Sequence, residues 1–212
     1  MTKHSRDEAY RLKDSDAHRK YYDSWSSSYD RDFAVRSGYI YPEELVQRFF
    51  TRADPEDDPI LDIGCGTGLV GLAFAGRGKT VDGMDISTGM LAEARRSCAY
   101  RDLIEVDLTD PSTIPARRYG GLVSCGTFTI GHLGPVAFES ALQLARPGAL
   151  CAIGINQLHY ENERFGSSIE SLVDKGRIFA FSIHVVPVYK DVEEPDAPIN
   201  QSNVAMFRTA FE

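Results

Sequence analysis

The chain reads as an α/β protein built on a doubly wound, mainly parallel sheet. Three observations predict it. From about residue 59 short apolar runs alternate with helical ones, the pattern of βαβ units. A glycine-rich turn, GCGTG at 64–68, joins the first apolar run to a helix. Two long alternating segments, 177–189 and 203–212, read as a hairpin that closes one end of the sheet.

Taken in order, PEELVQRFF from Pro42 predicts a helix that pairs Leu45 with Phe49 and Val46 with Phe50. PILDIG (59–64) is a buried strand, LVGLAFAGR (69–77) a helix closed by Gly78, and TVDGMD (80–85) a second strand. The next helix covers 87–99, with Ser87 as N-cap and Leu91, Ala94 and Cys98 on one face. Strands follow at 103–107 and 121–127, then a helix over 135–146 that begins at Pro135 and stops at Pro147-Gly148, then a strand at 149–155. Segment 156–176 is polar with one helix. The division expected is a leader and helical lid over 1–53 and the main domain over 54–212.

Composition narrows the function classes. The 212 residues are 42% hydrophobic and 25% charged, which suits a globular domain and not a disordered chain. A net charge of −8 argues against nucleic acid as partner, because phosphate backbones call for a basic face. The N-terminus lacks an apolar signal region and no run reaches membrane-spanning length, so a cytoplasmic protein with no membrane partner is expected. Cys65, Cys98, Cys125 and Cys151 lack metal-ligand spacing and read as buried reduced thiols; no metal is expected.

The chemistry begins at DIGCGTG, 62–68. Gly64, Gly66 and Gly68 let a ligand approach the backbone at the carboxyl end of the sheet. GTGLVG also satisfies G-x-G-x-x-G, with Asp85 about 19 residues beyond Gly66, so a dinucleotide oxidoreductase fits the bare pattern equally. Three features separate the two. Asp62 precedes the glycines, where a carboxylate suits a cationic amino group and repels a pyrophosphate. Asp107 ends the third strand, placed to accept from an exocyclic adenine amine. No Tyr-x-x-x-Lys pair occurs.

As an ordered set, Asp62 to Gly68, then GMDIS (83–87), VDL (106–108) and the RPGAL turn (146–150) resemble a class I S-adenosylmethionine-dependent methyltransferase. Together with the YD-x-W-x-x-x-YD leader, they are similar to the small-molecule type that includes the methyltransferase of the Williams–Beuren syndrome region. The resemblance implies a Rossmann-like, seven-stranded sheet in order 3-2-1-4-5-7-6 with strand 7 antiparallel, and S-adenosyl-L-methionine as cofactor. It implies that Gly64, Gly66 and Gly68 pass under the methionine and ribose, that Asp62 reaches the amino group through water, and that Asp85 takes both ribose hydroxyls. Ile86 and Met90 would border the adenine, Asp107 would accept from its amine, and the Leu108 amide would donate to the ring.

Residues 124–135, with Gly126 among them, would face the methyl group. They lack the Asn/Asp-Pro-Pro-Tyr that grips amines in many nucleic-acid and protein methyltransferases. The expected reaction is an in-line methyl displacement onto a small-molecule acceptor, through oxygen, nitrogen, sulfur or carbon. His132 is the candidate base if the acceptor must lose a proton. Tyr21, Tyr22, Trp25 and Tyr29 form a helical aromatic stripe, capped by Asp16 or Ser15. Tyr21, Trp25 and Tyr29 are expected to form a lid over the methionine end, leaving only the first dozen residues dispensable. An NAD(P)-dependent oxidoreductase and a non-catalytic cofactor-binding protein stand as the alternatives.

Overall fold

Strand residues that alternate between two buried faces dictate two helical layers around one sheet. The computed structural model describes residues 4–12, 14–190, 192 and 197–210. In chain order the elements are α1 (Arg6–Ala9), α2 (Ser15–Trp25), α3 (Tyr41–Phe50), β1 (Ile60–Ile63), α4 (Leu69–Phe74), β2 (Val81–Asp85), α5 (Thr88–Arg96), β3 (Leu103–Glu105), β4 (Tyr119–Phe128), α6 (Pro135–Leu142), β5 (Ala145–Asn156), α7 (Gln157–Asn162), α8 (Phe165–Asp174), β6 (Ile178–Pro187) and β7 (Gln201–Thr209).

The seven strands lie in the order β3-β2-β1-β4-β5-β7-β6, with β1 to β5 parallel and β7 antiparallel to both neighbours. That is the sheet expected from the sequence. Ile60 faces the layer made by α3 and α4, where Leu45, Val46, Phe49, Val70 and Phe74 pack. Leu61 and Ile63 face the other layer, with Phe138 of α6 and Phe165 and Ile169 of α8. This period-2 split is what a sheet covered on both faces requires. No helix among the described residues is long and apolar enough to cross a membrane.

Several boundaries differ from those expected, each for a local reason. α2 is capped by Asp14, whose carboxylate accepts from the Ala17 amide at 2.8 Å, and not by Ser15 or Asp16. α6 ends at Leu142, and Pro147-Gly148 lies inside β5 instead of terminating a helix. There the strand bulges: its pairing with β4 slips between Tyr119 and Gly121, and Gly148 takes φ +80°. Arg146 fixes the bulge by donating to the Glu56 and Asp58 carbonyls. Cys98 is exposed, in a left-handed turn after α5, and not on a buried helix face. The final two residues of the expected C-terminal strand, and residues 191 and 193–196 of the segment before it, lie outside the described residues.

Candidate active site

The carboxyl ends of β1 to β4 open onto a cavity of about 280 Å³, roofed by α2 and floored by the glycine turn. Its position follows from the winding: the strand order reverses between β1 and β4, where the helices that follow them, α4 and α6, go to opposite faces and leave a crevice.

The three glycines of the turn do three different jobs. A Cβ at Gly64 would collide with the Thr127 side chain, and one at Gly68 would crowd Tyr100, Ser97 and Ala94 of the α5 region. A Cβ at Gly66 would meet nothing within 4 Å, and Gly66 lines the cavity, so its missing side chain leaves room there. Its amide donates to Asp85 Oδ2 at 2.9 Å, and the Ser87 amide donates to Asp85 Oδ1 at 2.9 Å. Burial raises the Asp85 pKa, and these amides work against that rise. Ile86, Met90, Leu108 and Gly126 also line the cavity. So does Asp107, whose Oδ1 accepts from the Thr109 amide and hydroxyl while Oδ2 has no partner among the described residues.

Asp62 is not brought to the cavity. It is fully buried on the α3 and α4 side of β1, where the Tyr100 hydroxyl donates to its Oδ2 at 2.7 Å and its Oδ1 has no partner among the described residues. Burial raises its pKa to about 7, with the Tyr100 bond opposing. The Gly71 amide donates to the same hydroxyl, so Asp62, Tyr100 and the first turn of α4 form one buried chain.

The stripe of the N-terminal helix divides. Tyr22 and Tyr29 line the cavity, whereas Tyr21 turns to the outer side and bonds the Ser5 backbone and Glu8. Trp25 is buried behind them, 4.9 Å from Tyr29 and near-parallel to Tyr22. The segment from Ser5 to Ala9 thus packs against α2 instead of standing apart from it. Hydrogen bonds place α2 over the β2 and β3 ends: Asp23 Oδ1 accepts from the Ser87 hydroxyl (2.6 Å) and the Gly89 amide (2.8 Å), and Ser15 meets Thr109 at 2.9 Å. Beyond α2, Asp30 accepts from Thr67 of the glycine turn at 2.6 Å.

His132 lines the cavity and sits against α2. Its Nδ1 lies 3.0 Å from the Ile130 carbonyl, which can only accept, so Nε2 is the lone-pair nitrogen and receives the Tyr22 hydroxyl at 2.9 Å. Burial lowers the His132 pKa to about 4. His18 lies 4.4 Å from it with its ring tilted by 59°, and its buried Nε2 has no partner among the described residues. Sequence reading passed over His18 and Tyr22 as wall residues. Their signal was the i, i+4 spacing of Asp14, His18 and Tyr22 on one helical face. Among the described residues no group of three or more His, Cys, Asp or Glu could hold a metal ion.

Residues 60–148 match the family described as "Methyltransferase domain". A Streptomyces fradiae protein, dTDP-3-amino-3,6-dideoxy-alpha-D-glucopyranose N,N-dimethyltransferase, is 37% identical over 93 residues, covering 43% of this chain and 35% of the relative. An uncharacterized RNA methyltransferase of Streptococcus agalactiae is 44% identical over 45 residues, 21% of this chain and 10% of that one. The chain thus spans 35% or less of the length of these curated relatives. Among solved structures, magnesium protoporphyrin IX methyltransferase from Synechocystis, with S-adenosylmethionine bound, superposes with a TM-score of 0.67 at 16% identity, covering 94% of this chain and 98% of that one. That likeness is one of fold. The narrower resemblance to the Williams–Beuren-region type has no bearing from these matches.

Proposed function

We propose that this chain, which carries a methyltransferase domain on the class I S-adenosylmethionine-dependent fold, transfers a methyl group from S-adenosylmethionine to a small-molecule acceptor by in-line displacement. The observation that carries the reading is the cavity where Asp85 and Asp107, after β2 and β3, and the bare face of Gly66 converge under α2.

The cavity's residues fit such a cofactor. Each Asp85 oxygen accepts one amide and retains a lone pair, so the carboxylate suits two vicinal ribose hydroxyls. The unpartnered Asp107 Oδ2 suits the adenine amine, with Leu108 beside it and Ile86 and Met90 as apolar walls. The absent Cβ of Gly66 leaves space for close backbone approach. Tyr29 and Gly126 would border the reacting end.

When bound, S-adenosylmethionine supplies a methyl group already activated on a sulfonium. The protein's residues then chiefly orient the acceptor and exclude water. Because the Tyr22 hydroxyl occupies His132 Nε2, a proton from the acceptor would reach His132 by way of that hydroxyl. The net charge of −8 and a roofed cavity support a small acceptor over an RNA. The aminosugar relative adds support for a small molecule.

Calorimetry with S-adenosylhomocysteine tests the reading at one residue. Asp85→Ala should weaken binding by about 1–3 kcal/mol, the cost of losing charge-assisted hydrogen bonds, while circular dichroism stays native. An unchanged affinity removes Asp85 from the ribose site.

A further inference from the structure

The helix that follows the glycine turn starts without a cap of its own. The N-cap position of α4 is Gly68, which takes φ +101° and has no side chain to accept from the first-turn amides. α5 shows the ordinary arrangement: its N-cap Ser87 accepts through Oγ from the amide of Met90, three residues on, at 3.0 Å. In α4 the corresponding amide is that of Gly71, and it donates to the Tyr100 hydroxyl at 3.0 Å. Tyr100 thus supplies, from the connection between α5 and β3, the oxygen that Gly68 lacks.

Two glycines make room for it. A Cβ at Gly71 would lie 2.5 Å from the Tyr100 Cζ, and one at Gly68 would lie 3.1 Å from its Cε2. The second and third glycines of GTGLVG therefore answer to a tyrosine ring. That ring packs against the cluster of Val70 and Phe74 and against the cluster of Cys65, Leu91 and Ala94. Burial and the neighbouring Asp62 raise the Tyr100 pKa well above the usual phenol value, so the group stays a neutral hydroxyl. Its one proton goes to Asp62 Oδ2 at 2.7 Å, which leaves a lone pair for the Gly71 amide. The carboxyl group expected at the cofactor's amino group instead sets the orientation of this hydroxyl.

We propose that Tyr100 is a positioning residue of the cofactor site, holding the glycine turn through the Gly71 amide with Asp62 as its orienting partner. The proposal rests on the methyltransferase reading. Tyr100 does not line the cavity, so it acts through the turn. The Gly68 amide donates to the Cys65 carbonyl at 2.9 Å, which ties the start of α4 to the residues before it. Between them lies Gly66, whose bare face lines the cavity and whose amide donates to Asp85 Oδ2 at 2.9 Å. Asp85 is the group assigned to the ribose hydroxyls. Loss of the Tyr100 hydroxyl therefore registers at the ribose, and the amino-acid end of the ligand is not needed to see it.

Tyr100→Phe keeps the ring and removes the hydroxyl, whereas Asp62→Asn keeps an oxygen that accepts from it. Calorimetry compares S-adenosylhomocysteine with 5′-methylthioadenosine, which has the ribose and lacks the amino acid. Tyr100→Phe should weaken both ligands by about fivefold or more, as expected for lost buried hydrogen bonds. In an Asp85→Ala background the same change should cost less than about twofold, because the two residues act in one chain. Asp62→Asn should bind both ligands within about twofold of wild type, the conservative change restoring the acceptor. In the ligand-free protein, Tyr100→Phe should accelerate amide exchange over residues 66–71 by about fivefold or more and leave β5 and β7 unchanged. Unchanged affinity and exchange in Tyr100→Phe, or a full loss that persists beside Asp85→Ala, overturns the proposal. So does an Asp62→Asn loss confined to S-adenosylhomocysteine, which would return that carboxylate to the amino group. Exchange that rises equally in β5 and β7 would make the hydroxyl a general stabiliser and overturns it too. A wild type that binds neither ligand overturns the methyltransferase reading instead, and exchange over 66–71 still decides whether Tyr100 holds the turn.

Discussion

Asp23 is the main fastening of the α2 roof, and its removal should loosen the site without touching the cavity wall. One carboxylate oxygen receives both the Ser87 hydroxyl and the Gly89 amide, at the N-terminus of α5. Hydrogen bonds to a charged acceptor are worth about 1.5–3 kcal/mol net, and the helix terminus adds a few tenths. Because one oxygen serves both donors, about 2–3 kcal/mol is the appropriate total, a factor of about 30 to 150 in the closing equilibrium. Three other ties remain: Ser15 to Thr109, Asp30 to Thr67 and Tyr22 to His132. Asp23→Ala should therefore weaken S-adenosylhomocysteine binding by about fivefold or more, since ligand affinity falls with the closed fraction. Amide exchange across residues 15–25 should accelerate in parallel. Gly89→Ala attacks the same seam sterically, because its Cβ would lie 2.9 Å from the Asp23 Cα. Calorimetric affinity within twofold of wild type in both variants, with unchanged exchange, would refute the roof-fastening role.

Asp62 and His132 should leave separate marks on pH dependence. The folded-state pKa of Asp62 is raised to about 7, so the unfolded chain gives up its proton first as pH rises. The stability it contributes is complete below about pH 4 and is lost as pH rises to about 7; at 1.36 kcal/mol per pH unit the loss approaches about 4 kcal/mol. Urea unfolding should find Asp62→Asn gaining on wild type by about 2–3 kcal/mol between pH 5 and pH 7, and a pH-independent difference contradicts the burial argument. His132 behaves oppositely, since its folded pKa is depressed to about 4. Its contribution is present above pH 6.5 and falls away toward pH 4, so His132→Gln should flatten the acid limb of the stability profile. The wild-type rate profile should then show no limb from an imidazole between pH 6 and 8, and a limb there that vanishes in His132→Gln refutes the assignment.

The sheet was legible because apolar period and turn chemistry agree along β1 to β5, and Asp85 and Asp107 stand where strands end. Asp62 was not legible as a buried group. Nothing local announces that Tyr100, 38 residues on, turns its hydroxyl under β1. The two neighbouring tyrosines of the roof pose a different difficulty. Tyr21 and Tyr22 are both in register with Trp25 and Tyr29 at helical spacings, and a rotation of one residue decides which one enters the cavity. After Trp25 the chain tightens over Ser26–Ser28 and widens over Asp30–Val35, so a constant 3.6-residue period does not carry through. The duplicated Tyr-Asp pairs were visible as a motif. Their division of labour, tyrosines in the wall and aspartates fastened to the loops after β1 and β2, needed the fold.

The central claim, that the cavity is an S-adenosylmethionine site, is tested most directly by titrating the wild-type protein with S-adenosylhomocysteine and, separately, with NADH in a calorimeter. The account predicts saturable one-to-one binding of S-adenosylhomocysteine and none of NADH. Binding of NADH without binding of S-adenosylhomocysteine would contradict it.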